Sequence, residues 1–189
     1  MKKKMLEQEI VDGFKTAIDE RQIYPVYQPQ INHSTGRMVG AEALMRWKHP
    51  KFGLQSPTNF IPVLEKHDLL YPADVLMFEE VCRFQRRRLD EGTPTIPISV
   101  NMSRYDIFRH EYVDEIEKIR KQYDIPVKLL RIGITESAAI GGMDLMIRTI
   151  EKLHSFGYVV LNLLRRRAHF GCDYRDVREL KLRQQVCFH

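Results

Sequence analysis

Between residues 96 and 161 the chain reads Ile96-Pro97-Ile98-Ser99-Val100, then Arg104 to Tyr123 with Ile107, Tyr112, Ile116 and Ile119 at helical spacing, then Leu129-Leu130-Arg131-Ile132-Gly133-Ile134-Thr135. Met143 to Phe156 follows as a second helical stretch, and Tyr158-Val159-Val160-Leu161 begins another apolar run after Gly157. Short apolar runs bounded by Gly and Pro read as buried strands, and the longer periodic stretches between them read as helices. Strand, helix, strand, helix, strand implies right-handed βαβ units and a parallel sheet. Parallel α/β folds place their ligands at the carboxyl ends of the strands.

Upstream of this region, Ile10, Phe14 and Ile18 fall on one face of a helix expected over residues 5–20. Tyr24 to Gln30 reads as an extended run, because Pro25 and Pro29 argue against a helix. A turn at Asn32-His33-Ser34-Thr35-Gly36 separates it from a second strand, Met38 to Met45. Asn59 to Leu70 and Ala73 to Leu89 read as helices.

The chain has 189 residues, 43% hydrophobic and 29% charged, which suits one globular domain. No apolar run approaches the roughly 18 residues of a membrane span, so no membrane insertion by this chain is expected. Cys82, Cys172 and Cys187 are too widely spaced for a zinc pattern or a disulfide framework, and a reducing cytoplasm is the expectation. The net charge of +5 raises the question of a nucleic-acid partner. Its distribution argues against DNA: Arg86-Arg87-Arg88 closes a helix, where cations suit the C-terminus, and Arg165-Arg166-Arg167 lies in the tail.

Three oxygen-bearing side chains stand near expected strand ends: Glu42 late in one strand, Asn101 just after another, and Glu136 just after a third. Such a set suits a hard cation. It equally suits ordinary roles, with Glu42 in a salt bridge and Asn101 or Ser103 capping a helix. Arg46 follows Glu42 by four residues, on the same side of the strand, where it can pair with Glu42 or grip a phosphate. Trp47 reads as packing and His49 as structural.

Glu42-Ala43-Leu44 sits within Gly40-Ala41-Glu42-Ala43-Leu44-Met45-Arg46-Trp47-Lys48-His49-Pro50. Tyr27-Gln28-Pro29 precedes it, and Gly53, Pro57, Phe60-Ile61-Pro62 and Glu65 follow. Later come Ser99-Val100-Asn101-Met102-Ser103 and Ile134-Thr135-Glu136-Ser137. In order and spacing this closely resembles the EAL family of cyclic-di-GMP phosphodiesterases, over roughly residues 20 to 160. The resemblance implies an α/β fold, a modified TIM-like (β/α) barrel with an N-terminal helix. It implies metal-dependent hydrolysis of cyclic di-GMP to the linear dinucleotide in bacterial second-messenger signalling. It makes Glu42, Asn101 and Glu136 metal ligands, with Glu42 and Glu136 serving catalysis through the metal, and Gln28, Leu44 and Arg46 substrate contacts. The implied ions are Mg2+ or Mn2+, with Ca2+ inhibitory.

The chain departs from the family after Val160. The strand should run into Asp-Asp-Phe-Gly, whose aspartates bind and bridge the metals, yet Leu161 is followed by Asn162-Leu163-Leu164. Gly133 stands where many members carry another acid. The expected division is therefore an EAL-type domain over residues 1–161 and a divergent tail over 162–189, in which Asp173 and Asp176 are the only aspartates. A TIM barrel takes about 250 residues; 189 residues point to an incomplete or open barrel, and to a homodimer or other self-association through its open side. Three functions compete: a phosphodiesterase impaired by the missing loop, a non-catalytic cyclic-di-GMP-binding or regulatory module, and a non-functional fragment.

Overall fold

The computed structural model describes residues 7–134 and 143–162. Helix α1 (Glu7–Asp19) leads into β1 (Ile23–Ile31) and β2 (Met38–His49), with a short β3 (Gly53–Gln55) after it. Helices α2 (Pro57–Lys66) and α3 (Leu70–Asp90) follow. Then come β4 (Ile98–Met102), α4 (Arg104–Ile107), α5 (Tyr112–Gln122), β5 (Leu130–Ile134), α6 (Met143–Ser155) and β6 (Val159–Asn162). The sheet order is β1-β2-β4-β5-β6, with β3 paired to β2. β1 and β2 are antiparallel, whereas β2, β4, β5 and β6 run parallel. Among the described residues the sheet is open, with β1 and β6 at its two edges.

The expected α/β order is present, with four differences. Helix is not continuous from Arg104 to Tyr123: α4 stops at Ile107 and α5 starts at Tyr112. Ser103 begins α4 with a capping box, its hydroxyl accepting from the Asp106 N–H at 3.2 Å while Asp106 accepts from the Ser103 N–H at 2.8 Å. β2 runs on to His49, so Glu42 lies mid-strand rather than late in it. Asn101 lies inside β4 rather than after it, which leaves the cap to Ser103 alone. β3 was not anticipated, since three residues are too few for a period to show.

Side chains alternate across a strand, and paired residues share a face. Ala41, Ala43, Met45 and Trp47 of β2 therefore lie on one face with Ile98, Val100, Met102, Ile132, Ile134 and Val160, all buried. Helix α3 packs on β1, β2 and β4, and α6 on β6. Trp47 meets Phe60 of α2 edge-on, with ring centroids 5.5 Å apart. His49 is structural, as expected: its Nδ1 accepts from the Lys51 and Phe52 N–H groups at 3.1 and 3.3 Å. Gln85 of α3 donates to the carbonyls of Ile96 and Leu129 at 2.8 and 3.1 Å, tying together the approaches to β4 and β5. Glu117 of α5 accepts from Arg120 at 2.8 and 2.7 Å and from the Tyr158 hydroxyl at 3.1 Å, which fixes the entry to β6. The Arg120 guanidinium keeps the Glu117 carboxyl below the usual range.

Candidate active site

The opposite face of the sheet carries the polar residues. Gln28 is opposite Glu42, Val26 opposite Leu44, and Tyr24 opposite Arg46 across the β1–β2 pair. Glu42 is level with Ser99, and Ser99 with Arg131, across the parallel strands. One step further along, Asn101 is level with Gly133, and Gly133 with Leu161. Gln28, Glu42, Leu44, Arg46 and Asn101 thus share one inner face, the side that becomes the lumen when such a sheet curls into a barrel.

Glu42 is only 3% exposed, and its Oε1 accepts from the Asn101 Nδ2 at 3.0 Å. The Asn101 Oδ1 is buried with no hydrogen-bond partner, and so is the Ser99 hydroxyl oxygen. Buried polar atoms are normally satisfied, so orphans on one face mark a place where a water, an ion or another ligand can supply the missing partner. Asn101 Oδ1 beside the Glu42 carboxylate is an oxygen-only donor set of the kind hard cations select. Arg46 is half-buried and spends Nη1 on the Met45 carbonyl at 2.8 Å. Gln28 is exposed.

Glu136 lies outside the described residues. The position of β5 that stands beside Asn101 on the inner face is Gly133, which has no side chain to offer. Among the described residues, no three His, Cys, Asp or Glu side chains converge on one point. Ser99 and Arg131 also lie on this face and were not singled out in the sequence. Counting two residues back from Asn101 finds Ser99; only the strand register finds Arg131. An added Cβ at Gly40 would lie 3.2 Å from the Arg131 Nη1 and 3.0 Å from the Pro97 carbonyl, so the bare backbone of Gly40 makes room for the guanidinium.

A family model described as EAL domain matches residues 12–181. The chain belongs to the EAL domain family. This EAL domain is 31% identical over 149 residues to the bifunctional diguanylate cyclase/cyclic di-GMP phosphodiesterase MucR of Pseudomonas aeruginosa, covering 79% of this chain and 22% of that protein. It is 30% identical over 146 residues to the probable cyclic di-GMP phosphodiesterase PdeG of Escherichia coli, covering 77% of this chain and 29% of that protein. The chain therefore spans less than a third of either relative. Among solved structures, the MucR phosphodiesterase in complex with c-di-GMP matches with a TM-score of 0.75 at 28% identity, covering 87% of this chain and 66% of that one. The EAL domain of FimX from Pseudomonas aeruginosa, bound to c-di-GMP, matches with a TM-score of 0.74 over 92% of this chain and 67% of that one. At 16% identity it speaks for the fold alone, the TIM-like barrel of the EAL domains. No helix among the described residues of this EAL domain is long and apolar enough to cross a membrane.

Proposed function

We propose that this EAL domain recognises cyclic di-GMP in bacterial signalling and hydrolyses it poorly or not at all. The observation that carries the reading is the pairing of Glu42 with Asn101 on the inner face, where Asn101 keeps a buried, unpartnered oxygen. The relatives named as cyclic-di-GMP phosphodiesterases give the substrate class. Glu42 and Asn101 would hold a Mg2+ or Mn2+ ion, with Glu136 as a third ligand and Ca2+ as an inhibitory substitute. When bound, such an ion polarises a phosphoryl oxygen and makes a water more acidic. The chain's own groups do the recognition: Arg46 offers its remaining N–H donors to a phosphate, Gln28 a side-chain amide, and Leu44 an apolar surface. Impairment follows from two gaps, the absent Asp-Asp-Phe-Gly after Val160 and the bare Gly133 beside Asn101. Loss of carboxylates weakens ion binding and the placement of an attacking water together.

Calorimetry with cyclic di-GMP and Ca2+, beside a hydrolysis assay with Mn2+, tests this. The expected result is binding with little or no linear dinucleotide formed. Rapid metal-dependent turnover would overturn the impairment, and Asp173 and Asp176 would be the first residues to mutate. No binding at all would favour a non-functional fragment.

We also propose that the chain self-associates through the open side of its sheet, most simply as a homodimer. Val26 and Val159, on the inner face of the two strands that are edges among the described residues, are 41% and 37% exposed. Free edges and apolar surface favour pairing with a second copy. Light scattering should give a mass above that of one chain; a monomer at every concentration would refute it. A cytoplasmic location suits the buried, free Cys82, whose thiol burial pushes up to about 12.

A further inference from the structure

Two carboxyl groups meet in the interior away from the inner face. Asp74 of α3 is 7% exposed and Asp106 of α4 is fully buried. Asp106 Oδ2 is satisfied twice, by the Ser103 N–H at 2.8 Å and the Ser103 hydroxyl at 2.7 Å. Asp106 Oδ1 and Asp74 Oδ2 are buried with no hydrogen-bond partner among the described residues. The two carboxyls lie close enough for each to act on the other's affinity for a proton. Two buried carboxylates side by side repel and have no donor to offer each other, and one shared proton removes both costs.

We propose that Asp74 and Asp106 hold one proton between them at neutral pH, with Asp74 the acid that donates to Asp106, and that this proton fastens the turn after β4, two residues beyond Asn101, to helix α3. Ser103 favours charge on Asp106, to which it gives both its N–H and its hydroxyl, whereas at Asp74 its hydroxyl is outweighed by burial and by the Asp106 charge. Burial, followed by the neighbouring Asp106 charge, raises the Asp74 pKa far above the ordinary range; burial also raises Asp106. Other groups face the pair from each packed element. Glu65 of α2 adds negative charge that favours the proton. Tyr71 of α3 and Tyr112 of α5 stay neutral, each with its own pKa raised, chiefly by burial. Arg109, the nearby cation, is engaged by both oxygens of Asp68 at 2.9 and 2.8 Å. It pulls on Asp106 from a distance and does not replace the proton. Asp74 and Asp106 are positioning residues here, since they act on Asn101 only through the turn.

The sign of the effect on stability is fixed. The folded state keeps a proton that the unfolded chain releases above about pH 4, so folding weakens as pH rises, about tenfold in equilibrium constant per pH unit, until the pair loses its proton. Asp74→Asn replaces the acid with an amide that donates at every pH. Urea unfolding of the full chain from about pH 5 to about pH 8 should show the ratio of variant to wild-type folding constants climbing about tenfold per unit. Asp74→Ala removes the donor and should lie below Asp74→Asn throughout. Parallel curves for wild type and Asp74→Asn would overturn the proposal. Infrared spectra of the wild-type protein at neutral pH decide independently of whether a variant folds. A protonated-carboxyl stretch that shifts in D2O is expected, and its absence would refute the shared proton.

Discussion

Trp47→Ala is expected to remove about 3–5 kcal/mol of stability, the range for emptying a buried aromatic site. Domains of this kind have only about 5–15 kcal/mol in total, so the variant should be largely unfolded well below the wild-type midpoint. Trp47 is completely buried, and it touches two helices and the turn before β1 besides its own strand. Its ring meets Phe60 of α2 edge-on, an added Cβ at Gly13 of α1 would lie 3.7 Å from its Cζ2, and its Nε1 donates to Gln22 at 3.3 Å. None of these segments can collapse into the gap without moving against the sheet, and poor collapse is what makes such deletions costly. Trp47→Phe keeps most of the volume and should lose less than half as much. Urea unfolding followed by circular dichroism measures both. A loss under about 1 kcal/mol for Trp47→Ala would mean that α1 and α2 do not depend on this side chain.

Gly133→Glu should raise Mn2+ affinity by at least about tenfold, because ion affinity in such sites follows the number of charged oxygen ligands. The new side chain would project from β5 on the inner face beside Asn101, across β4 from Glu42. In the absence of metal, two carboxylates on one buried face repel, so the apo variant should be less stable by about 1–2 kcal/mol. Added Mn2+ should then raise its melting temperature more than it raises that of the wild type. The two effects have opposite signs, and a general packing defect would not produce both. On the function proposed above, the variant should still turn over cyclic di-GMP slowly, since the aspartates after Val160 remain absent. A folded Gly133→Glu protein with unchanged Mn2+ affinity would show that Glu42 and Asn101 do not form part of an ion site.

Much of the architecture was legible because the parallel strands are short apolar runs with punctuation. Ile98 to Met102 and Leu130 to Ile134 are bounded by Pro, Gly or turn residues, and their burial on the helix-covered face makes them read as strands. Glu42, Asn101 and Arg46 were legible as polar interruptions of such runs. The break between α4 and α5 was not, because Ile107, Tyr112, Ile116 and Ile119 keep a helical period across it. No Gly or Pro marks the break either, since Phe108-Arg109-His110-Glu111 separates the two helices. The meaning of Gly133 was likewise hidden, since only strand register sets it beside Asn101.

The split between a polar inner face and an apolar outer one also governs which strand pairings the chain will accept. A slip of one residue between β2 and β4 would exchange the positions of Glu42 and Ala43, driving a carboxylate into the layer beneath α3. Burying that charge without a partner costs several kcal/mol, more than one mispaired strand can recover. Glu42 and Asn101 therefore proofread the assembly of the sheet, whatever ligand they meet afterwards. The fold by itself is thus a reason to keep these two residues, since without them the wrong alignment would no longer be penalised.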